Sequence, residues 1–342
     1  MSPKAKKITS RISIIIFVFI FGWWVGQIDR GGQSSKPITI INPRPLDKYS
    51  IENLSNTPPK PGKISIAEII NEDKDYTSYL FFFEFDPEMG LSKNEKIKKT
   101  SGQINVPKEE GVLPLILMLR GYVDQEIYQT GIGTSKAAEY FVQNGFITIA
   151  PDFFGYGQSD EQSEDVMEAR FQTYTTVLSL ISSLDQVEVW DKTNLFMWGH
   201  SNGGQVALTT LEIINKNIPT TLWAPVSKPF PYSILYYTDE SEDRGKFLRK
   251  QIADFEETYN PDLYSLDLYL DRINSPIQLH QGTQDDSVPV EWSNNIFKNL
   301  KALDKNIVYH TYPGADHNLK PSWDTIVARD ISFFTEHLDS KE

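Results

Sequence analysis

Short apolar segments alternate with amphipathic ones from about residue 78 to the end of the chain. Continuous apolar runs such as 113–119 and 146–150 are typical of strands that are buried on both faces of a parallel sheet. We expect strands at 78–86, 98–106, 113–119, 146–150, 195–198, 221–224, 277–280 and 307–311. We expect helices at 137–144, 164–184, 203–214 and over the apolar positions Trp323, Ile326, Val327, Phe334 and Leu338. This alternation predicts an α/β fold in which a mostly parallel sheet carries helices on both faces.

The N-terminal 30 residues predict a cytoplasmic stub and a membrane anchor. A strongly apolar run covers residues 12–28, which as a helix would be about 25 Å long. Four basic residues precede it, namely Lys4, Lys6, Lys7 and Arg11. A cleaved signal peptide is the alternative, but no small-x-small cleavage site follows the run. We therefore expect an uncleaved single-pass helix, with the rest of the chain on the extracytoplasmic side of the membrane.

The composition changes after this segment. Residues 31–62 are rich in Gly, Ser and Pro, which is typical of a linker, although Tyr49–Leu54 could dock on the domain as a short element. The remaining residues, 63–342, are predicted to form one domain. The segment 226–272 interrupts the strand–helix rhythm with prolines and a charged helical stretch near 240–258. We interpret this segment as a small insertion at the mouth of the sheet.

Charge and residue types exclude several classes of protein. The chain has 33 basic and 46 acidic residues, a net charge of −13, which disfavours binding to nucleic acid. It has no cysteine, so disulfides, thiolate metal sites and a cysteine nucleophile are excluded. Its five histidines show no HxH or HExxH spacing, so no metal centre is predicted. Nothing in the sequence indicates a cofactor.

The most specific motif is Gly199-His-Ser201-Asn-Gly203, which matches G-x-S-x-G between a predicted strand and a predicted helix. A strand that turns directly into a helix presents its serine above the sheet, at the positive end of the helix dipole. Small residues are needed on either side because side chains there would clash. The context favours Ser201 as a catalytic nucleophile.

Serine is a weak nucleophile and needs a base. His310 lies within a predicted strand and His337 at the end of the last helix, whereas His317 lies in a loop directly after a strand. That loop belongs to the sheet edge from which Ser201 emerges, so we assign His317 as the base. The loop after the preceding strand offers two acids, Asp285 and Asp286, and spacing alone does not separate them.

Three segments together resemble the α/β-hydrolase fold, and more narrowly the catalytic domain of the prolyl oligopeptidase family of serine peptidases and the related dienelactone-hydrolase-like esterases. They are Gly-His-Ser201-Asn-Gly-Gly, His-Gln-Gly-Thr-Gln-Asp285-Asp286-Ser-Val-Pro and Tyr-Pro-Gly-Ala-Asp-His317. The resemblance covers roughly residues 78–338. In that family the acid is the first residue of D-x-x-V, which implies Asp285.

The resemblance also implies an oxyanion hole. Leu119-Arg120-Gly121-Tyr122 stands where the family has a His-Gly or Tyr-Gly-Tyr segment, with Arg120 in place of the commoner histidine. The backbone N–H of Asn202, and either the N–H or the phenol of Tyr122, would then bind the oxyanion.

The insertion 226–272 is expected to form a lid, with Tyr236 or Tyr237 touching the acyl group.

The sequence therefore predicts a membrane-anchored serine hydrolase that acts through a Ser-Asp-His triad and an acyl-enzyme. Peptide and ester substrates both remain open, because no glutamate pair in a helical context can be assigned to a substrate's free amine. A non-catalytic surface protein on the same fold is a remoter alternative, and it would be marked by the loss of a triad member. Oligomeric state is not indicated.

Overall fold

The structure is a computed structural model and describes residues 44–91, 96–241 and 243–339. These residues belong to a compact unit that begins at Arg44. Its centre is a nine-stranded sheet with the order β1-β2-β3-β5-β4-β6-β7-β8-β9. The strands are β1 (Lys63–Glu72), β2 (Tyr76–Phe85), β3 (Lys98–Pro107), β4 (Leu113–Leu119), β5 (Ile147–Pro151), β6 (Trp190–His200), β7 (Thr220–Trp223), β8 (Ile277–Gly282) and β9 (Ile307–Tyr312).

Strand direction divides the sheet into two parts. The first three strands pair antiparallel, and β3 pairs antiparallel with β5. From β5 through β4, β6, β7 and β8 to β9, every pairing is parallel. The carboxyl ends of these six strands therefore meet at one edge of the sheet, which is where ligands bind in open α/β sheets.

Helices pack on both faces of the sheet. They are α1 (Ile51–Ser55), α2 (Ser135–Gln143), α3 (Val166–Ile181), α4 (Asn202–Ile214), α5 (Tyr232–Leu235), α6 (Lys246–Thr258), α7 (Val290–Ala302) and α8 (Trp323–Glu336). Alternate residues of β4 enter two separate apolar clusters, with Leu115 and Leu117 in one and Ile116 and Met118 in the other. Since successive side chains of a strand point to opposite faces, one cluster lies on each face. The predicted α/β architecture is confirmed.

The predicted strands and helices all occur, with bounds that shift by a few residues. Among the elements of ten residues or more, two were not predicted. β1 escaped because it is an edge strand whose apolar residues are exposed, including Ile66, Ile69 and Ile70. α7 has its apolar residues Trp292, Ile296 and Leu300 four apart, a helical spacing that the sequence analysis passed over.

The C-terminal part of the predicted linker, residues 31–62, belongs to the folded unit, as the docking considered for Tyr49–Leu54 allowed. A 3₁₀ turn at Asp47–Tyr49 and helix α1 lie within this range and belong to the folded unit. Leu46, Tyr49 and Leu54 are at most 4% exposed and are part of the main core. Burial of these apolar side chains fixes a segment that its proline-rich surroundings had identified as spacer.

The insertion 226–272 contains α5, α6 and four 3₁₀ turns, at Thr238–Glu240, Pro261–Tyr264, Leu266–Leu268 and Leu270–Arg272. Its second half packs on α3, since the rings of Phe255 and Tyr264 lie 6.0 and 4.8 Å from the ring of Phe171. The hydroxyl of Tyr264 donates to the carbonyl of Leu46, so the segment before α1 is fixed to the insertion as well.

The predicted membrane helix at 12–28 lies outside the described residues. Within 44–91, 96–241 and 243–339 there is no helix with the length and apolar character needed to span a bilayer.

Candidate active site

Ser201 occupies a strained turn between β6 and α4. Its φ of 55° and ψ of −120° are rare for a residue with a side chain, and such strain persists only where the surroundings enforce it. The Ser201 N–H donates to the carbonyl of Trp223 at 2.9 Å, and the Ser201 carbonyl accepts from the N–H of Val226 at 2.9 Å. The turn is thus held by the end of β7 and the segment that follows it.

The motif's glycines are required by close backbone contacts. A Cβ on Gly203 would lie 1.9 Å from the carbonyl oxygen of Leu119, and one on Gly199 would lie 2.8 Å from the carbonyl oxygen of Gly203. Neither position has room for a side chain. The same closeness brings the end of β4 against the start of α4, so the loop after β4 passes directly over Ser201.

The predicted acid, Asp285, and the predicted base, His317, lie in the loops after β8 and β9 and are hydrogen-bonded to each other. The Nδ1 of His317 is 2.9 Å from Oδ2 and 3.0 Å from Oδ1 of Asp285. The Asp285 side chain is fully buried, and the N–H groups of Ser287 and Val288 donate to its Oδ1 at 2.9 and 2.8 Å. Burial alone would raise the pKa of Asp285, but the hydrogen bonds from His317 and these amides outweigh it and lower the pKa.

The neighbouring acid has a different environment. The Asp286 side chain bonds only to the hydroxyl of the adjacent Ser287, at 3.2 Å, among the contacts of the described residues. Asp285, and not Asp286, therefore contacts His317, in agreement with the D-x-x-V pattern. The two alternatives that spacing left open are thus distinguished by geometry.

Gln281 is a site residue that sequence reasoning missed. Its Nε2 donates to Oδ2 of Asp285 at 2.9 Å, while its Oε1 accepts from the hydroxyl of Ser293 at 2.7 Å. Ser293 lies on α7, so this helix fixes the amide that in turn fixes the acid. The sequence signal is weak, because the contact joins a strand to a helix that was not predicted.

His200 is also closer to the chemistry than its place in the motif suggests. Its ring centroid lies 4.8 Å from that of His317, and its Nε2 donates to the carbonyl of His317 at 3.1 Å. Burial, together with the neighbouring His317, lowers the pKa of His200 to about 4. A neutral His200, the residue before Ser201, therefore joins the strained turn to the loop that carries His317.

The loop after β4 runs close to Ser201. A Cβ on Gly121 would lie 3.0 Å from the Cβ and 3.6 Å from the Oγ of Ser201. The side chain of Tyr122 is 73% exposed, and its hydroxyl donates to Asp124 at 2.7 Å. That hydrogen bond, helped by partial burial, raises the pKa of Tyr122 to about 12. Of the two groups of Tyr122 considered for the oxyanion, this geometry favours the N–H over the phenol.

The predicted lid tyrosines adjoin the acid loop. The hydroxyl of Tyr237 donates to the carbonyl of Ser287 at 3.0 Å, and the ring of Tyr236 meets that of Trp292 edge-on at 4.9 Å. Val226, which is bonded to the nucleophile turn, packs in the same small cluster as Trp292 and Tyr237. The first part of the insertion therefore forms an aromatic wall beside the site, whereas the second part packs on α3.

One protein family model matches most of the chain. The sequence model of the prolyl oligopeptidase family matches residues 133–341, which include the Ser201 turn and the loops that carry Asp285 and His317.

Individual relatives carry two kinds of description. An uncharacterized peptidase, YtmA, from Bacillus subtilis is 24% identical over 246 residues, covering 71% of this chain and 89% of its own. The acetyl esterase Axe7A of Xylanibacter ruminicola is 25% identical over 199 residues, covering 51% of this chain and 42% of its own. The structure of an acetyl xylan esterase from Paenibacillus sp. R4 has a TM-score of 0.61 at 18% identity, covering 82% of this chain and 91% of its own. Such a structural likeness shows the α/β-hydrolase fold.

Proposed function

We propose that this serine hydrolase, which belongs to the prolyl oligopeptidase family, acts through an acyl-enzyme formed on Ser201. The observation that carries the proposal is the hydrogen bond between His317 and the buried Asp285. This pair lies at the same sheet edge as a serine in a strained strand-to-helix turn. The three residues have the roles of a Ser-His-Asp triad, and they follow the chain order of α/β hydrolases.

The proposed reaction has two steps. Asp285 holds the proton on Nδ1 of His317, which leaves Nε2 free to take the proton of the Ser201 hydroxyl as Oγ attacks the substrate carbonyl. The N–H groups of Asn202 and Tyr122 stabilise the oxyanion. His317 then gives its proton to the leaving group as the bond to that group breaks. In the second step water loses a proton to His317 and attacks the acyl-enzyme. His317 then returns that proton to Oγ of Ser201 as the acyl bond breaks, which releases the acid product and free Ser201.

We infer that amide bonds of peptides or aminoacyl groups are the principal substrates, with support from the family and from the B. subtilis relative that is described as a peptidase. Carboxylic esters are the second candidate, favoured by the match to the acetyl esterase over half of this chain. The same triad serves both chemistries, since an ester only offers a better leaving group.

The test compares matched substrates on the full chain, with a p-nitrophenyl ester and a p-nitroanilide of the same acyl group. A peptidase will turn over alanyl or prolyl anilides at rates comparable to the ester, and an esterase will turn over only the ester. Ser201→Ala should abolish labelling by a fluorophosphonate and lower kcat by roughly 10⁴–10⁶-fold. Ser182→Ala, at the end of α3, is the matched control and should leave both unchanged. Full labelling of Ser201→Ala, or inactivation by a chelator, would overturn the mechanism.

We further propose that residues 12–28 anchor the enzyme in the membrane with its catalytic domain on the extracytoplasmic side. The basic residues before this apolar run and the missing cleavage site support the proposal. Mass spectrometry of the native protein from a membrane fraction should find the original N-terminus. A mature chain that starts near residue 27–34 would instead identify a cleaved signal peptide.

A further inference from the structure

A buried polar cluster lies behind the candidate site, between the sheet and α8. Its centre is Asp330, whose side chain is fully buried. The indole N–H of Trp223 donates to Oδ2 at 2.7 Å, and the amide of Gln278 donates to Oδ1 at 3.1 Å. The Nε2 of His280 lies 3.0 Å from the same Oδ1. One carboxylate of α8 thus receives three side chains, from β7 and β8.

The cluster continues to β9. The Nδ1 of His280 lies 2.8 Å from the hydroxyl oxygen of Tyr312, which also accepts a hydrogen bond from the guanidinium of Arg329 at 3.0 Å. A His280 with its proton on Nε2 donates to Asp330 and accepts from the Tyr312 hydroxyl, so each of these contacts pairs a donor with an acceptor. A fully paired buried network of this kind has one arrangement and holds its members rigidly.

The backbone of this cluster holds the nucleophile. The carbonyl of Trp223 accepts the N–H of Ser201 at 2.9 Å, and the carbonyl of His280 accepts the N–H of Ala224 at 2.8 Å. Trp223 is therefore fixed through its indole to Asp330 and through its carbonyl to the strained turn. We therefore expect a shift of the indole to be transmitted through the Trp223 backbone to Ser201.

The same arrangement recurs at the acid and the base. The carbonyl of Tyr312 accepts the N–H of Thr283 at 3.0 Å and that of Ala315 at 3.2 Å. Thr283 lies two residues before Asp285, and Ala315 lies two residues before His317. Tyr312, whose hydroxyl bonds to His280, thus joins the start of the acid loop to the start of the base loop.

We propose that Asp330 is a positioning residue for hydrolysis, which holds the carboxyl ends of β7, β8 and β9 at the spacing that aligns Ser201, Asp285 and His317. This positioning role rests on the proposed function, because Ser201, Asp285 and His317 are the residues that Asp330 would align. Asp330 itself takes no part in the chemistry. The network differs from an ordinary buried polar cluster, because its members are joined to the loops of Ser201, Asp285 and His317 through backbone hydrogen bonds. Loss of the carboxylate should misalign the triad without affecting the groups that bind substrate.

The test is Asp330→Asn in the full chain, with active sites counted by fluorophosphonate titration. The amide keeps the shape but replaces one acceptor by a donor. Depending on its orientation, the NH₂ group therefore opposes either the Trp223 donor at Oδ2 or the Gln278 and His280 donors at Oδ1. We expect kcat per titrated site to fall on the order of 10²-fold, as small misplacements of reacting groups do. KM should change less than about two-fold, and the rate constant of labelling should fall in parallel with kcat.

Two further variants keep the test decisive if Asp330→Asn folds poorly. Tyr312→Phe removes only the hydroxyl between Arg329 and His280, and it should lower kcat per titrated site in the same direction. Thr148→Val is the matched control, because it breaks the buried hydrogen bond from the Asn105 amide at 2.8 Å, at the start of β5 and away from the triad loops. It should lower the Tm and leave kcat per titrated site unchanged.

The outcomes distinguish this proposal from the proposed function. If Ser201→Ala is inactive while Asp330→Asn and Tyr312→Phe keep wild-type kcat per titrated site, the network is only structural and the positioning role is wrong. If Thr148→Val lowers kcat as much as Asp330→Asn does, the effect is one of general stability and the proposal is overturned. If Ser201→Ala keeps full activity, the proposed function itself fails.

Discussion

Replacement of Asp285 by asparagine should disable the enzyme without unfolding it. Oδ1 of Asp285 accepts the N–H groups of Ser287 and Val288, whereas Oδ2 accepts from the amide of Gln281 and makes the shorter of the two contacts with Nδ1 of His317, at 2.9 Å against 3.0 Å for Oδ1. The amide oxygen of Asp285→Asn can keep the two backbone bonds, which preserves the loop. Its NH₂ group then faces two donors, so His317 must turn Nδ1 into an acceptor and carry its proton on Nε2.

A histidine in that tautomer cannot take the proton of Ser201. The corresponding change in a chymotrypsin-type triad lowers kcat about 10⁴-fold, which corresponds to about 5.5 kcal/mol of transition-state free energy. We expect a loss of that order for the p-nitrophenyl ester, with a KM within about three-fold of wild type. Far-UV circular dichroism should be unchanged, because the backbone contacts of the loop remain.

The control is Asp286→Asn, whose side chain touches only Ser287 among the described residues. It should keep kcat within about two-fold of wild type. The reasoning is refuted if Asp286→Asn is the crippling change, or if Asp285→Asn retains more than a tenth of wild-type kcat.

The pH dependence of stability gives an independent check on Asp285. Because the folded state lowers the pKa of Asp285, its stabilising contribution is complete above the unfolded value of about 3.9. It is lost as the pH falls through the folded value, so wild type and variant should converge in stability only at acid pH.

Three smaller perturbations test the remaining parts of the structure. Tyr122→Phe should leave kcat within about three-fold of wild type in ester hydrolysis, because the phenol bonds to Asp124 and the N–H remains; a loss of 10²-fold or more would restore the phenol to the oxyanion hole. Replacement of Tyr236 and Tyr237 by alanine should shift relative kcat/KM among acyl groups by about ten-fold, and an unchanged profile would show that the aromatic wall does not contact substrate. Burial raises the pKa of Glu212 well above its usual range, so the stability that its neutral form contributes is complete below about pH 4 and falls as the pH rises. Glu212→Gln should therefore raise the free energy of unfolding at pH 7 more than at pH 4 in urea titrations, and an equal effect at both would contradict that shift.

The candidate triad could be proposed from the sequence because its residues stand in recognisable local patterns. Ser201 lies in a turn whose glycines are visible in the sequence, and His317 was selected by its position after a strand. The resemblance then distinguished Asp285 from Asp286. What could not be predicted depends on contacts between distant segments. Gln281 bonds to the acid only because α7 fixes it, and no spacing along the chain indicates that contact.

The boundary between linker and domain was predicted only in part, for a different reason. Composition suggested a spacer up to residue 62. Four apolar side chains near α1 are buried in the core, and their burial fixes this segment despite the surrounding prolines. They are Leu46, Tyr49, Ile51 and Leu54. Conversely, most apolar residues of β1 stay exposed, only Ile64 among them packs on the core, and hydrogen bonds to β2 form the strand. Patterns of hydrophobicity predict elements that bury one face, and they miss those that are fixed by tertiary contacts alone.

Arg120 shows how the site accommodates a departure from the family's usual histidine. Its guanidinium lies 4.6 Å from the ring centroid of Tyr128 and 4.0 Å from that of Tyr156, and it donates to the carbonyls of Gly121 at 2.9 Å and Asp152 at 2.8 Å. Cation–π contacts strengthen when the cation is desolvated, and Arg120 is only 7% exposed. The Tyr128 hydroxyl in turn donates to the buried Asp152 carboxylate at 2.6 Å. The loop over the nucleophile is therefore held by a planar, permanently charged group that fits between two rings and two carbonyls, a set of contacts that neither histidine nor lysine can reproduce.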